Sequence, residues 1–380
     1  MMSAIAALFA GVAAFPLVIL TAEVLAGLRM PRYADSRTTS PRTTIIIPAH
    51  DEEAGIAATI AAINPAQCDI LVVADNCIDA TAANARGAGA TVVERTDAEQ
   101  RGKGHALAFA RGSLASDPPE VVIIMDADCV PVGDALARLA SRVMQTGRAV
   151  QARNELDTRP SDSPMTRISN FAFSLKNVVR QRGLMRIAGT CVLTGTGMAF
   201  PWAHFRDAPL ATSDSVEDLA IGLALVRAGH LPVYADDARV TSPPASGKAA
   251  VTQRTRWEHG FIATASRLAP QMLARRRWPS FWLGLHLTVP PLALTFGLAL
   301  LALLGVVGLG LVSSFTPAVA LATVIGIAGL SVLGGWHAVG RHILPFGMLV
   351  RVPLYIAWKL PIYLKLARGA DRRWTRTERD

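Results

Sequence analysis

The chain has 380 residues, room for one large or two modest domains, and 51% of them are hydrophobic, a fraction that excludes a wholly soluble protein. Its formal net charge of +9 gathers at the flanks of apolar runs, with no interleaved basic and aromatic surface, which argues for anionic lipid and against nucleic acid as a partner. Four cysteines, Cys68, Cys77, Cys129 and Cys191, show neither CxxC nor metal-type spacing, so no disulfide or cysteine-metal framework is indicated and reduced thiols are expected.

Ala4 to Thr21 is an uncharged apolar run near the length that spans a bilayer. It lacks the basic start and small-residue cleavage site of a secretory signal, so residues 1–28 read as a retained transmembrane anchor.

From Thr43 the pattern changes. TTIIIP, Ile70 to Ala74, Ala90 to Glu94 and VVIIM from Val121 are short apolar runs, each followed by an amphipathic stretch. Successive βα units of this kind predict an α/β domain on a mainly parallel sheet, within residues 40–270. The first strand runs into Pro48-Ala49-His50-Asp51-Glu52 instead of G-x-G-x-x-G, and no G-x-x-x-x-G-K-[ST] occurs, so a dinucleotide fold and a P-loop both lack their motif.

VVIIMDADCV places Asp126 and Asp128 at a strand's C-terminal end, where open α/β sheets bind ligands. Residues i and i+2 of an extended chain share a side, so both carboxylates can hold one hard cation, Mg²⁺ or Mn²⁺; alternatively they make a turn and cap a helix. VADNCIDAT sets Asp75 and Asp79 at another strand end on the same edge. RGKG offers Lys103 to a phosphate between two glycines that let backbone approach a ligand, or is simply a basic turn before a helix. SVEDLAIG opens a helix with Glu217 and Asp218, and Ser215 with Asp218 has the spacing of a capping box. In QRTRW, Gln253, Arg256 and Trp257 share a helical face that suits a diphosphate and a sugar ring, or else an interfacial helix with snorkelling Arg and headgroup-level Trp.

Two more apolar runs, Pro291 to Ser313 and Pro317 to Gly335, predict two transmembrane helices within 278–340. Residues 344–380 read as an amphipathic interfacial helix carrying Arg351, Lys359 and Lys365, or a fourth span, followed by a basic tail. Basic residues at Arg29, Arg32, Arg275 to Arg277, Arg341 and the tail put the middle portion in the cytoplasm by the positive-inside rule.

In this order, IPAHDE, VADNC, RGKG, DAD, CVLTGTGMAF, VED and QRTRW resemble the membrane-bound glycosyltransferases of family 2, which include cellulose, chitin and hyaluronan synthases. The resemblance runs from about Thr43 to Gly260 and, more loosely, into the flanking membrane helices. It implies a GT-A-like nucleotide-sugar-binding domain, a bacterial inner-membrane location, and a sugar passed from a nucleotide sugar, with UDP expected, to a lipid-linked or glycan acceptor. It further implies donor binding by His50, Asp51, Glu52, Asp75, Lys103, Asp126 and Arg256, with Asp126 and Asp128 as metal ligands. Asp218 would be the general base. Thr194, Gly195, Thr196, Gly197, Glu217, Gln253, Arg254 and Trp257 would serve the acceptor and diphosphate.

Two departures shape the expectation. Val216 stands where the synthases commonly have Thr, and three spans with an interfacial helix are few for a polysaccharide pore. Single or few additions in exopolysaccharide or glycolipid assembly, with assembly proteins as partners, are therefore favoured over a processive synthase. A ceramide-glucosylating type of enzyme and a nucleotide-sugar-binding scaffold subunit complete the alternatives.

Overall fold

The computed structural model describes residues 2–31, 40–63, 68–212, 216–243, 247–312 and 314–367. Arg32, the capping-box residue Ser215 and the basic tail from Arg368 lie outside them. In chain order, α1 (Met2–Gly27) precedes β1 (Thr43–Ala49), α2 (Ile56–Ile63), β2 (Asp69–Asp75), α3 (Thr81–Gly87) and β3 (Thr91–Arg95). There follow α4 (Lys103–Leu114), β4 (Val121–Ile124), β5 (Val130–Pro131), α5 (Ala135–Thr146) and β6 (Val150–Leu156). Next, α6 (Pro164–Ser174) passes through a π turn, Leu175–Val179, into α7 (Arg180–Ala188). After β7 (Met198–Pro201), α8 (Trp202–Asp207), α9 (Glu217–Ala228) and β8 (Val233–Ser242) come α10 (Gly247–Leu273), α11 (Trp278–Leu287), α12 (Leu292–Gly310), α13 (Thr316–Gly335) and α14 (Val352–Ala367).

These elements form two compact units. One comprises Pro31–Asp157 and Gly189–Ser246; the other comprises Met1–Met30, Thr158–Ala188 and Gly247–Asp380. The stretch 40–270 is thus divided, with α6, α7 and α10 grouped with the apolar helices.

The first unit is built on an eight-stranded sheet of order β3-β2-β1-β4-β7-β6-β8-β5. The four Val/Ile runs are its parallel strands, β2 and β4 flanking β1 and β3 flanking β2. The sheet is mixed beyond them: β7 runs antiparallel to both β4 and β6, β6 and β8 are parallel, and β5 is antiparallel to β8. Both faces are covered, so every residue of β4 is buried. Ile45, Ile47 and Ile123 point to one face and meet Ile56, Ile60 and Leu139 from α2 and α5. Ile46, Val122 and Ile124 point to the other and meet Leu107, Phe205 and Ile221 from α4, α8 and α9. Because β1 to β4 are parallel, their C-terminal ends share one edge.

In the second unit, three helices among the described residues are long and apolar enough to cross a membrane: Met2–Gly27, Leu292–Gly310 and Thr316–Gly340. α1 meets α7 closely enough that a Cβ on Gly183 would fall 2.0 Å from the Glu23 carbonyl oxygen. At this crossing Glu23 is fully buried beside Arg180, which donates to its carboxylate at 2.7 Å, and His286 Nδ1 lies 3.0 Å from the other carboxylate oxygen. Trp282 Nε1 donates to the same carboxylate at 3.3 Å. Lys359, expected on the polar face of an interfacial helix, is instead fully buried.

Removing one member of a buried ion network strands the charge of the others, typically at a cost of about 3–5 kcal/mol. Glu23→Leu is therefore expected to lower stability by that order, read as a lower melting temperature in detergent. An unchanged midpoint would mean that the network contributes nothing net.

Candidate active site

The common edge of β1, β2 and β4 collects most of the polar residues singled out in the sequence. At the end of β1, Asp51 has a left-handed backbone (φ 52°), as does Asn76 just past β2 (φ 55°). The two turns are laced together. His50 Nδ1 lies 2.7 Å from the Asp75 carbonyl oxygen, Ile78 N–H donates to Asp51 at 2.9 Å, and Glu52 N–H donates to Thr81 Oγ1 at 2.7 Å. Asp79, expected as part of the edge, accepts from Thr81 N–H at 2.9 Å and so opens α3. Asp75 is buried and paired with Arg95 Nη1 at 2.6 Å. Sequence reasoning overlooked Arg95, although it ends the strand that pairs Asp75 in register.

At the end of β4 the centre of the site takes shape around Lys103, the first residue of α4. Its ammonium donates to Asp126 Oδ1 and to the Gly195 carbonyl oxygen, each at 2.5 Å, and lies 4.0 Å from Glu217 Oε1. The RGKG glycines have local structural reasons of their own. Gly102 caps α4 at φ 112°, and a Cβ on Gly104 would fall 2.4 Å from the Leu210 carbonyl oxygen. Gly195 faces the cluster itself: a Cβ there would lie 3.4 Å from Asp218 Oδ2 and 3.8 Å from Lys103 Nζ, at φ 91°.

The 194–197 turn is held from β6 by a residue that sequence reasoning missed. Gln151, fully buried, accepts from Thr194 N–H at 2.8 Å and donates to the Thr196 carbonyl at 2.9 Å. Thr196 Oγ1 in turn accepts from Asp126 N–H at 3.2 Å. Gly197 (φ 61°) has no room for a side chain, since a Cβ would fall 2.6 Å from that of Ala152. No local signal marks Gln151, because its neighbour in space is fixed only by the insertion of β7.

Glu217 and Asp218 occupy the first turn of α9, where the helix dipole favours carboxylates, and Asp218 Oδ1 accepts from Leu219 N–H at 2.8 Å. Burial disfavours the Lys103 ammonium, but Asp126 and Glu217 outweigh it and hold its pKa above the ordinary lysine value. Burial raises Glu217; Lys103 opposes this, Asp218 and Asp126 reinforce it, and its pKa is pushed up to about 7.

Asp126, Asp128 and Cys129 bring one ligand atom each within 4.8 Å of one another. Burial, and then the two carboxylates, push the Cys129 thiol well above its usual value, which makes it the weakest donor of the three before any ion binds. The remaining donors are carboxylate oxygens in a region of negative excess, a set that suits a hard divalent cation. His50, Asp51 and Cys77 form a second such trio, but His50 Nδ1 and Cys77 are already engaged by Asp75 and Asp51.

Gln253, Arg254, Arg256 and Trp257 belong to the other unit, on α10. Gln253, Arg256 and Trp257 share a face at i, i+3 and i+4, with the Trp257 ring 5.8 Å from that of Phe173. Arg254 is buried, and burial lowers its pKa against the charges of Tyr355 and Glu258.

The sequence pattern described as glycosyltransferase-like family 2 matches residues 41–260. The chain belongs to this family. Among solved structures, a mannosyltransferase from Pyrobaculum calidifontis, in complex with GDP-Man and Mn²⁺, is 19% identical and superposes with a TM-score of 0.60 over 95% of this chain and 100% of its own. Glucosyl-3-phosphoglycerate synthase from Mycobacterium tuberculosis, in complex with Mn²⁺, UDP and phosphoglyceric acid, is also 19% identical, with a TM-score of 0.43 over 63% of this chain and 84% of its own. No curated protein matches the chain. At this identity the mannosyltransferase likeness speaks for the fold alone, and that fold is the GT-A type. The family 2 glycosyltransferase carries the expected mainly parallel α/β sheet and, among the described residues, three helices able to cross a membrane.

Two outcomes follow from the buried groups of the site. Gln151→Ala leaves two backbone groups without their partner and is expected to lower stability by roughly 2–4 kcal/mol, read by thermal unfolding. Folding raises the Glu217 pKa from 4.5 to about 7, so its contribution is full below pH 4.5 and is lost as pH rises through about 7. In metal-free protein, Glu217→Gln should flatten the decline of melting temperature over that window; an unchanged slope would contradict the assignment.

Proposed function

We propose that this glycosyltransferase is inverting and moves a sugar from a nucleotide sugar to a membrane-held acceptor, one or a few residues at a time, in exopolysaccharide or glycolipid assembly. The observation that carries the reading is the convergence of Lys103, Asp126, Gly195 and Asp218 at the end of β4.

The chemistry is a single displacement. The acceptor hydroxyl oxygen forms a bond to the anomeric carbon as the bond to the diphosphate oxygen breaks, the leaving group takes the electron pair, and the hydroxyl proton passes to Asp218. No second carboxylate acts as nucleophile, so configuration inverts. Gly195 leaves the space in front of Asp218 free of a side chain, which lets an acceptor hydroxyl approach the base. The Lys103 ammonium has three donors, of which Asp126 and the Gly195 carbonyl take two; the third is available to a diphosphate oxygen. Asp126 and Asp128 are the residues that would hold a Mg²⁺ or Mn²⁺, whose chemistry is to neutralise charge on the leaving diphosphate. His50, Asp51, Glu52 and Asp75 bind the base and ribose, and the β1 and β2 turns that carry them are fixed by the hydrogen bonds between them. Gln253, Arg256 and Trp257 serve the diphosphate and the acceptor sugar.

The family resemblance implies UDP as the donor nucleotide, while the mannosyltransferase of the same fold was solved with GDP-Man, so donors of both kinds belong in the test. The catalytic residues are cytoplasmic, with three spans and α14 lying in the interface of a bacterial inner membrane.

General-base catalysis is typically worth about 10²–10⁴ in rate. Asp218→Asn should reduce transfer by at least about 10² while donor binding survives, measured as nucleotide release and donor titration on detergent-purified protein with membrane lipid extract as acceptor source. Loss of binding together with activity would remove Asp218 from the role of base, and wild-type release by the variant would favour a different reaction centre.

A further inference from the structure

One buried ion pair has no part in the transfer chemistry described so far. Lys359 of α14 is fully buried, and its ammonium donates to Glu258 Oε1 of α10 at 2.5 Å. The rings of Tyr355 and Trp358 flank it, with centroids 5.7 and 5.9 Å away. Lys359 is the cation in direct contact with the Glu258 carboxylate, and the Arg254 guanidinium, one turn earlier on α10, is a second positive charge near it. Burial and the Glu258 charge also raise the pKa of the Tyr363 hydroxyl one turn along α14.

Glu258 directly follows the Q-x-x-R-W segment. At 3.6 residues per turn, Gln253, Arg256 and Trp257 share one face, and Arg254 and Glu258 share another, roughly 120° around the helix. Lys359 therefore grips the back of the segment whose front carries the amide, guanidinium and indole. Stability alone does not call for charges here, because apolar side chains of the same volume often serve a buried site at least as well. What an ion pair adds is direction. Apolar contact tolerates rolling of one helix on another, whereas a buried ammonium and carboxylate meet in one register.

We propose that Glu258 and Lys359 are positioning residues for sugar transfer: the pair sets the rotation of α10 about its axis, and with it the direction in which Gln253, Arg256 and Trp257 are presented. This rests on the glycosyl-transfer reading above and extends it to α14, which becomes part of the machinery that sets the turnover rate.

The test is Glu258→Gln combined with Lys359→Met, which removes both charges and keeps the volume. The double variant is expected to melt within a few degrees of the wild type and to retain donor binding, which His50, Asp51, Glu52, Asp75 and Lys103 also serve. Its kcat should fall about tenfold or more, since small misplacements of reacting groups are costly. The reversed pair, Glu258→Lys with Lys359→Glu, should regain much of the rate. A double variant with wild-type kcat overturns the proposal, and so does failure of both variants to fold, which would assign the pair to folding alone. Arg256→Ala, measured alongside, separates the two ideas. If it is slow while the double variant is fast, only the positioning role fails; if it turns over like the wild type, the role of the whole helix face fails.

Discussion

Among the described residues, Lys103 is the ammonium in a half-buried space that also holds the carboxylates of Asp126, Glu217 and Asp218, with Asp128 two residues along the chain from Asp126. Four negative groups against one positive cannot be held close together at low dielectric without something to answer the excess. The protein answers part of it internally, through the raised pKa of Glu217 and the helix dipole at the start of α9. The rest suits a hard cation, in keeping with the metal and diphosphate site proposed at the end of β4.

The surrounding fold keeps this arrangement rigid. Gln151 fixes both sides of the 194–197 turn, Thr196 fixes the Asp126 backbone, and the β1 and β2 turns hold each other. In the second unit the same device recurs with different partners. Glu23 with Arg180 and His286, and Lys359 with Glu258, are charged contacts between helices of that unit, each with at least one fully buried member.

Much of this was legible in the sequence because it rests on local pattern. The runs around Ile45, Val72, Val92 and Ile123 are Val/Ile-rich and bounded by turn residues, and all four are parallel strands. Asp126 and Lys103, 23 residues apart in the chain, were both marked for the diphosphate, and they are in contact. The three apolar runs are three long helices. What stayed hidden depends on non-local pairing. β7 has four residues and no strand pattern that stands out, yet its antiparallel insertion between β4 and β6 brings Gln151 to the site. β6 and β8 contain Arg153, Glu155 and Arg239, with Glu155 paired to Arg153 along β6 and to Arg239 across to β8, and these charges mask the alternation. Arg95 requires the strand order 3-2-1 before it can be placed beside Asp75, and Lys359 requires α10 as a neighbour before its inward turn makes sense.

The claim on which the account stands is that the β4 carboxylates form a metal-dependent donor site. Calorimetric titration of UDP- and GDP-sugars into detergent-purified protein, with and without Mn²⁺ or Mg²⁺, and into Asp126→Asn/Asp128→Asn, tests it most directly. The account predicts that one donor sugar binds only with the metal present and not to the variant. Donor binding that is indifferent to both metal and substitution, or that is absent under every condition, would contradict it.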